Sequence, residues 1–233
     1  MIVLAVDTSS GQGSLALAQE DAWCDVVELP PEWKSTTLHG EIARLLEQRG
    51  LHSREVGGYA VANGPGPFTG LRVGLTAVKG LAEAHGRPVL PVSTLEVLAT
   101  AARSQLSPSY SGVLAPLLDA RRGQVFGALF AAEGEALRPL GEESVGSLAS
   151  FLERVRASMP ALVRFCATER EPFAQEIVKA GWSESFLLRV PPCLAGTLAR
   201  MGLRRLKEGR GVPAEQVDAN YVRPSDAELF WKG

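Results

Sequence analysis

The chain reads as an α/β protein of two lobes, each a mixed sheet flanked by helices, and three observations carry that reading. Short apolar runs alternate with longer stretches of helical periodicity, the order expected when strands are buried between helices. A buried run ending in aspartate, then a turn, then a second apolar run occurs twice, at 2–18 and at 113–131. Between the two copies lies SQLSPSYSG (104–112), polar and serine-rich, the best boundary in the chain. With 233 residues, 45% hydrophobic and 21% charged, the chain is long and apolar enough for one large core or two small ones.

Taken in order, residues 2–6 (IVLAV) form a continuous apolar run ending at Asp7, and 14–18 form a second one. TSSGQG between them is turn chemistry, so the pair reads as a hairpin whose first strand is buried on both faces. A third strand covers 23–29, ahead of Pro30. Residues 37–49 form an amphipathic helix with Leu38, Ile42, Leu45 and Leu46 on one face and Gly50 as its stop. A strand at 58–62, a helix at 71–84 and a strand at 88–92 follow. Ser93 or Thr94 then caps a helix reaching Arg103, with Glu96 placed for a capping box. In the second half, 113–118 leads to Asp119, the turn Arg121-Arg122-Gly123 and a strand over 124–131. A helix near 147–157, a strand near 162–166, a helix near 172–180 and a clear helix at 194–208 with basic residues in its last turn complete the reading. The expected organisation is a first lobe at 1–103, a second at 108–193, a helix at 194–210 packing back on the first lobe, and a mostly irregular tail at 211–233.

Composition excludes several classes. The net charge is −2 and the pI near 6.0, so a free-standing nucleic-acid binder with a basic stripe is not indicated, and any such role needs a partner. Cys24, Cys166 and Cys193 are odd in number and form no CxxC, which favours a reducing compartment and argues against a cysteine-built zinc site. The start MIVLAVDTSS has no Lys or Arg ahead of its apolar run, and no window is apolar enough to span a bilayer. A cytoplasmic protein without membrane contact is expected.

The stretch most suggestive of chemistry is GPGPFTGLR, 64–72. A P-loop needs G-x-x-x-x-G-K-[ST]; here five residues separate Gly64 from Gly70 and no Lys-Ser or Lys-Thr follows. A dinucleotide fingerprint would put glycine where Thr69 stands. Two readings remain: a tight turn that launches a helix, with Thr69 as its cap, or an anion site at exposed N–H groups. The helix that follows is small-residued (Gly70, Gly74, Ala77, Gly80, Ala84), which lets another element approach closely. His39, His52 and His85 form no HxxxH pair, and no G-x-S-x-G elbow exists. Asp7 suits a magnesium or phosphate position in an actin-like ATPase, and equally a strand-end turn. The same alternatives hold for Asp119 beside Arg121. Trp33, Leu38, Ile42 and Leu46 suit either a core or a partner surface.

Several stretches together resemble one family: IVLAVDTS (2–9), His39 on its helix, GPGPFTGLRVG (64–74), GLA (80–82), PVSTL (91–95), DARRGQV (119–125) and YVRPSDAE (221–228). They are similar to the TsaB (YeaZ) family of tRNA threonylcarbamoyladenosine biosynthesis proteins, strongly over 1–130, more weakly to 210, and again in the tail. The resemblance implies an actin-like (ASKHA), RNase H-like fold. It implies a non-catalytic subunit in the transfer of a threonylcarbamoyl group to N6 of adenosine 37 in tRNAs that read codons starting with A. TsaD would be the heterodimer partner that carries the metal-binding histidines and the active site, and TsaE a further ATPase partner. ATP and magnesium would be used by the complex, with no cofactor held tightly by this chain. Contact with tRNA would come only through the complex, and a homodimer of the isolated chain is open. Carried onto this sequence, the partner contact falls on Leu38, His39, Ile42 and Leu46 of one helix and on Leu71, Gly74, Leu75, Val78 and Lys79 of the next. A vestigial nucleotide or anion site would comprise Asp7, Thr8, Ser9, Gly66, Thr69 and Asp119. One departure is clear: where a glycine-bearing Gly-Asp-Gly turn is expected in the second lobe, the chain reads CATERE, 166–171. A nucleotide cleft built there would be poor. The alternative is a stand-alone actin-like ATPase or kinase, which needs two glycine-rich phosphate loops around a magnesium aspartate.

Overall fold

The computed structural model describes residues 1–223 except 21, 31, 32, 34, 135 and 159–161. The chain forms two compact units, Met1–Thr94 with Pro192–Asn220, and Leu95–Pro191 with the chain from Tyr221.

The first unit is built on strands β1 (Ile2–Asp7), β2 (Ser14–Gln19), β3 (Trp23–Glu28), β4 (Gly58–Ala62) and β5 (Val89–Val92), in the sheet order β3-β2-β1-β4-β5. β1 pairs antiparallel with β2, Asp7 lying opposite Ser14, and parallel with β4. Both faces of β1 are covered, which is why its sequence is continuously apolar. Leu4, Val6, Tyr59 and Val61 point to one side, into a cluster with Leu38, Ile42 and Leu46 of α1 (Ser35–Glu47) and Leu75 and Val78 of α2 (Phe68–His85). Val3 and Ala60 point to the other side, where Gly202 of α6 (Ala195–Lys207) sits against them. α2 begins at Phe68, with Pro67 in the capping position and no side-chain cap bond. Thr69 is therefore not the cap. Proline fixes its own φ near the value the first turn needs, and Thr69 falls inside that turn. Gly86 ends α2 at φ 59, the left-handed conformation that glycine tolerates best.

The second unit repeats the plan. Its strands are β6 (Gly112–Arg121), β7 (Gln124–Gly127), β8 (Phe130–Glu133), β9 (Ala136–Pro139), β10 (Ser144–Ser147), β11 (Val163–Ala167) and β12 (Leu187–Arg189). The order β10-β7-β6-β11-β12 matches the first sheet position for position, with β8 and β9 as an appended hairpin. Here too a central strand pairs antiparallel with its hairpin partner and parallel with the next. Leu95 and Ala99 of α3 (Thr94–Arg103) cluster with Leu114, Phe126 and Phe130. Phe151 and Val155 of α4 (Leu148–Ala157) and Ile177 of α5 (Ala174–Lys179) cluster with Ala115, Leu117 and Phe165. Ser147 caps α4, its hydroxyl accepting the Ser150 N–H at 3.1 Å.

Three expectations change. The single strand over 124–131 is two strands, β7 and β8, which serve different neighbours in the sheet. β9, β10 and β12 were not expected, because ALRP, SVGS and LLR are too short and mixed to carry a period of two. The units divide at Thr94–Leu95 rather than within the serine-rich segment. α3 supplies the second core, and the buried Arg103 holds the serine segment to it by donating to the carbonyls of Ser107, at 3.0 Å, and Pro108, at 2.9 Å.

How α2 reaches the first sheet explains the glycine spacing. A Cβ placed on Gly66 would fall closer than 3.0 Å to the Ser9 carbonyl oxygen, on Gly70 to the Thr8 carbonyl oxygen, and on Gly74 to Thr8 Oγ1. All three glycines thus lie against the two residues that follow β1. A Cβ on Gly80, in contrast, would meet nothing within 4 Å among the described residues. Replacing a helical glycine by alanine ordinarily stabilises by up to about 1 kcal/mol. Gly80→Ala is expected to do so. Gly74→Ala is expected to lower stability by about 1–3 kcal/mol, the range for overpacking. Denaturant midpoints of the two variants check the opposite signs.

Candidate functional site

The turn after β1 holds the sequence-predicted aspartate, threonine and serine. Asp7 is fully buried. Its Oδ1 accepts the Ser9 N–H at 3.0 Å and the Ser9 hydroxyl at 2.6 Å, while Oδ2 has no partner among the described residues. Burial pushes the Asp7 carboxyl above its ordinary value, and the two bonds from Ser9 oppose that shift. Thr8 Oγ1 is also buried without a hydrogen-bond partner among the described residues and lies beside Gly74. Gly66 closes over the Ser9 carbonyl. The structure therefore brings Asp7, Thr8, Ser9, Gly66 and Gly74 together. Thr69 stays apart, exposed on the first turn of α2. Such a turn can hold a proton on a desolvated carboxyl; the Ser9 hydroxyl is spent on Asp7, and the Thr8 hydroxyl is packed against Gly74 of α2.

Asp119 occupies the matching place in the second unit, with different surroundings. Its Oδ1 accepts the Arg121 N–H at 2.8 Å, the same two-residue reach as Asp7 to Ser9, and the Arg121 guanidinium lies 3.6 Å from Oδ2. Its side chain is 41% exposed. Arg121, Arg122 and Gly123 turn the chain through φ of 64, 55 and 72, and Asp/Asn side chains commonly stabilise such turns. In the CATERE stretch, β11 ends at Ala167 and Arg170 donates to the Glu184 carboxylate at 2.8 Å. No residue of this stretch has a positive φ.

The carried-over contact residues divide sharply by burial. Leu38, Ile42, Leu46, Leu71, Leu75 and Val78 are at most 6% exposed. Gly74 is buried against Thr8. The unit's own core takes these six side chains and the backbone of Gly74, so the outward surface of the two helices is made by other residues. His39 is exposed, as are Gly40 and Ala43 on α1 and Arg72, Thr76, Gly80 and Ala84 on α2. Lys79 is half-buried, and its Nζ donates to the Val217 carbonyl at 2.8 Å.

Sequence reading missed the strap to which Lys79 belongs. Asn63 Nδ2 donates to the Asp218 carbonyl at 3.0 Å, and the Asn220 N–H donates to the Asn63 carbonyl at 2.7 Å. Gly64, at φ 118 and before a cis Pro65, passes against the Asn220 backbone. The GPG dipeptide pair was the visible signal, but its partner lies over 150 residues away, at 155 and 156 positions for Asn63–Asp218 and Gly64–Asn220. Of the tail motif, residues 224–228 lie outside the described residues. All three cysteines are free. Burial raises the thiols of Cys24, Cys166 and Cys193, the last to about 12 with help from Glu28, so none is a ready thiolate nucleophile. Among the described residues no group of three His, Cys, Asp or Glu converges for a metal, and no helix is long and apolar enough to cross a membrane.

The Asp7 environment sets a pH dependence. Below the ordinary value of 3.8, the carboxyl is protonated in both folded and unfolded chains and costs nothing. Above it the unfolded chain ionises first, so stability falls with rising pH until the raised folded value is passed. Asp7→Asn keeps the shape and removes this titration. The stability of the variant relative to the parent is expected to climb from about pH 4 upward and then level off, as read by denaturant midpoints. Parallel profiles would rule out a desolvated carboxyl.

Comparison with known proteins places this geometry. A protein-family model described as TsaD: tRNA N6-adenosine threonylcarbamoyltransferase matches residues 34–188. The tRNA threonylcarbamoyladenosine biosynthesis protein TsaB of Bacillus subtilis (strain 168) is 31% identical, over 99% of this chain and 98% of its own length. A Pseudomonas aeruginosa crystal structure described as similar to peptidase YEAZ superposes with a TM-score of 0.78 at 28% identity, covering 95% of this chain and 99% of the other. YeaZ from Pseudomonas aeruginosa superposes at 0.75 with 26% identity, covering 94% and 100%. The fold is the actin-like, RNase H-like α/β fold. The duplicated sheets, the glycine-packed turn after β1 and the full-length likeness agree: the chain belongs to the TsaB (YeaZ) family of tRNA threonylcarbamoyladenosine biosynthesis proteins.

Proposed function

We propose that this chain is a non-catalytic subunit in the threonylcarbamoylation of adenosine 37 of tRNAs reading codons that start with A, acting as partner and activator of TsaD. Family membership supports the pathway, and the match to a TsaD model over 34–188 supports descent from a common two-lobed ancestor. One observation carries the subunit role. Apart from Phe68, α1 and α2 bury their large apolar residues in their own unit, and small residues recur at helical spacing on the outward side, Gly40 and Ala43 on α1 and Thr76, Gly80 and Ala84 on α2, alongside exposed His39, Arg44 and Arg72. A Cβ on Gly40 or Gly80 would meet nothing within 4 Å among the described residues. Small residues at that spacing let the helices of another subunit come close between the larger side chains, and a second copy of this chain could take the same place when TsaD is absent. TsaE, ATP and magnesium act on the assembled complex, in the cytoplasm. The stand-alone ATPase reading is disfavoured by a desolvated Asp7 and by a 166–171 stretch without glycine.

Reconstituted threonylcarbamoyl transfer tests the reading. TsaD with this chain is expected to transfer, TsaD without it to lose most of its rate, and the isolated chain to hydrolyse no ATP. Gly80→Leu should leave the free chain folded yet weaken association with TsaD by about tenfold, equivalent to about 1.4 kcal/mol of helix overpacking. Full transfer without the chain, or ATP turnover by it alone that Asp7→Ala abolishes, would refute the proposal.

A further inference from the structure

α6 carries a concentration of positive charge that the net charge of −2 conceals. Its buried side, including Leu198, Ala199, Met201 and Gly202, lies on the first sheet. It does so on the face opposite α1 and α2, since Gly202 meets Val3 and Ala60 while those helices pack on Leu4, Val6, Tyr59 and Val61. Within residues 200–210 stand Arg200, Arg204, Arg205, Lys207 and Arg210 against one acid, Glu208. Arg200, Arg204 and Lys207 follow each other at four and three residues, so they share the outward side, and all are exposed. Lys207 is paired with Glu20, and Arg210 lies 3.8 Å from Glu208. Neither the Arg200 nor the Arg204 side chain has a hydrogen bond or ion pair among the described residues. Cations in a last helical turn offset the carbonyl dipole. That accounts for Arg204, Arg205 and Lys207, but not for Arg200 in mid-helix or Arg210 beyond the end.

We infer that the outward face of α6 binds the sugar–phosphate backbone of an RNA, with Arg200 and Arg204 as its phosphate contacts. The inference rests on the proposed function for the RNA being a tRNA. Arginine outnumbers lysine four to one within 200–210, and the guanidinium fork suits phosphate oxygens better than an ammonium does. α6 contains no aromatic residue, so it lacks the anchors that dominate protein–protein hot spots. Its place on the opposite side of the sheet leaves α1 and α2 able to hold a partner subunit while RNA is bound. The contact is to backbone charge and is independent of base sequence.

The test uses the complex with TsaD and a labelled, unmodified tRNA transcript, titrated between about 50 and 200 mM salt. Arg200→Glu with Arg204→Glu is expected to weaken binding by about tenfold and to flatten the plot of log K against log salt by roughly 1.4–1.8, two contacts at about 0.7–0.9 each. Arg200→Lys with Arg204→Lys should keep the salt slope. Thermal midpoint and co-purification with TsaD should be unchanged in both, because the two side chains touch neither the core nor α1 and α2. Failure of the parent chain to co-purify with TsaD would count against the proposed function and leave the tRNA titration to be read on the chain alone. Unchanged affinity and slope in the charge-reversed variant would overturn the inference. So would loss of binding to a poly-glutamate peptide with tRNA binding intact, which would assign the face to an acidic protein.

Discussion

The close approach of α2 to the turn after β1 is the contact on which the first unit depends. Gly66, Gly70 and Gly74 repeat every four residues, so they line one side of the loop and the first turns of the helix. That side meets the backbone of Thr8 and Ser9 and the Thr8 hydroxyl. The approach costs helix stability, since each helical glycine is worth roughly 1 kcal/mol less than alanine. Burial of Leu71, Leu75 and Val78 beside it offsets that cost. Asp7 is tied to the same place. Its carboxyl is desolvated because the turn and the strands around it exclude water, and Ser9 donates to it twice.

The phosphate-loop appearance of GPGPFTGLR therefore has a structural origin. Loops that cradle phosphates and loops that press against backbone both need glycine, because both bring heavy atoms within reach of a missing Cβ. Here the atoms that fill the space are the protein's own. The same distinction applies to the helices. The periodicity that marked Leu38, Ile42, Leu45 and Leu46 located a buried face correctly, and a buried face in a sheet-bound helix belongs to the core. The small residues on the outward side of these helices, such as Gly40 and Gly80, have no periodic apolar signal of their own.

Much of the fold was legible because its strands are covered on both sides. β1, β4 and β6 read as apolar runs, and the aspartate-turn-strand repeat anticipated a sheet in each half; that the two sheets share one strand order came from the structure. Short strands such as β10, with the sequence SVGS, left no trace, because their place is fixed by pairing with β7 rather than by their own composition. The boundary between the units was misplaced for a related reason. Serine and proline mark a loop, but which core a helix joins depends on its apolar side, and Leu95 and Ala99 of α3 commit it to the second. At the site, residue type pointed to Asp7, Ser9 and Gly66. It could not show that Thr8 faces Gly74, nor that Asn63 and Lys79 hold the distant segment 217–220.

The claim that Gly74 exists to admit Thr8 can be tested by a double-mutant cycle on unfolding free energy. Thr8→Ala removes the hydroxyl and methyl that crowd position 74. If the account holds, Gly74→Ala is strongly destabilising in the parent and nearly neutral in the Thr8→Ala background, a coupling of about 1–3 kcal/mol. Additive effects, with the same loss in both backgrounds, would contradict it.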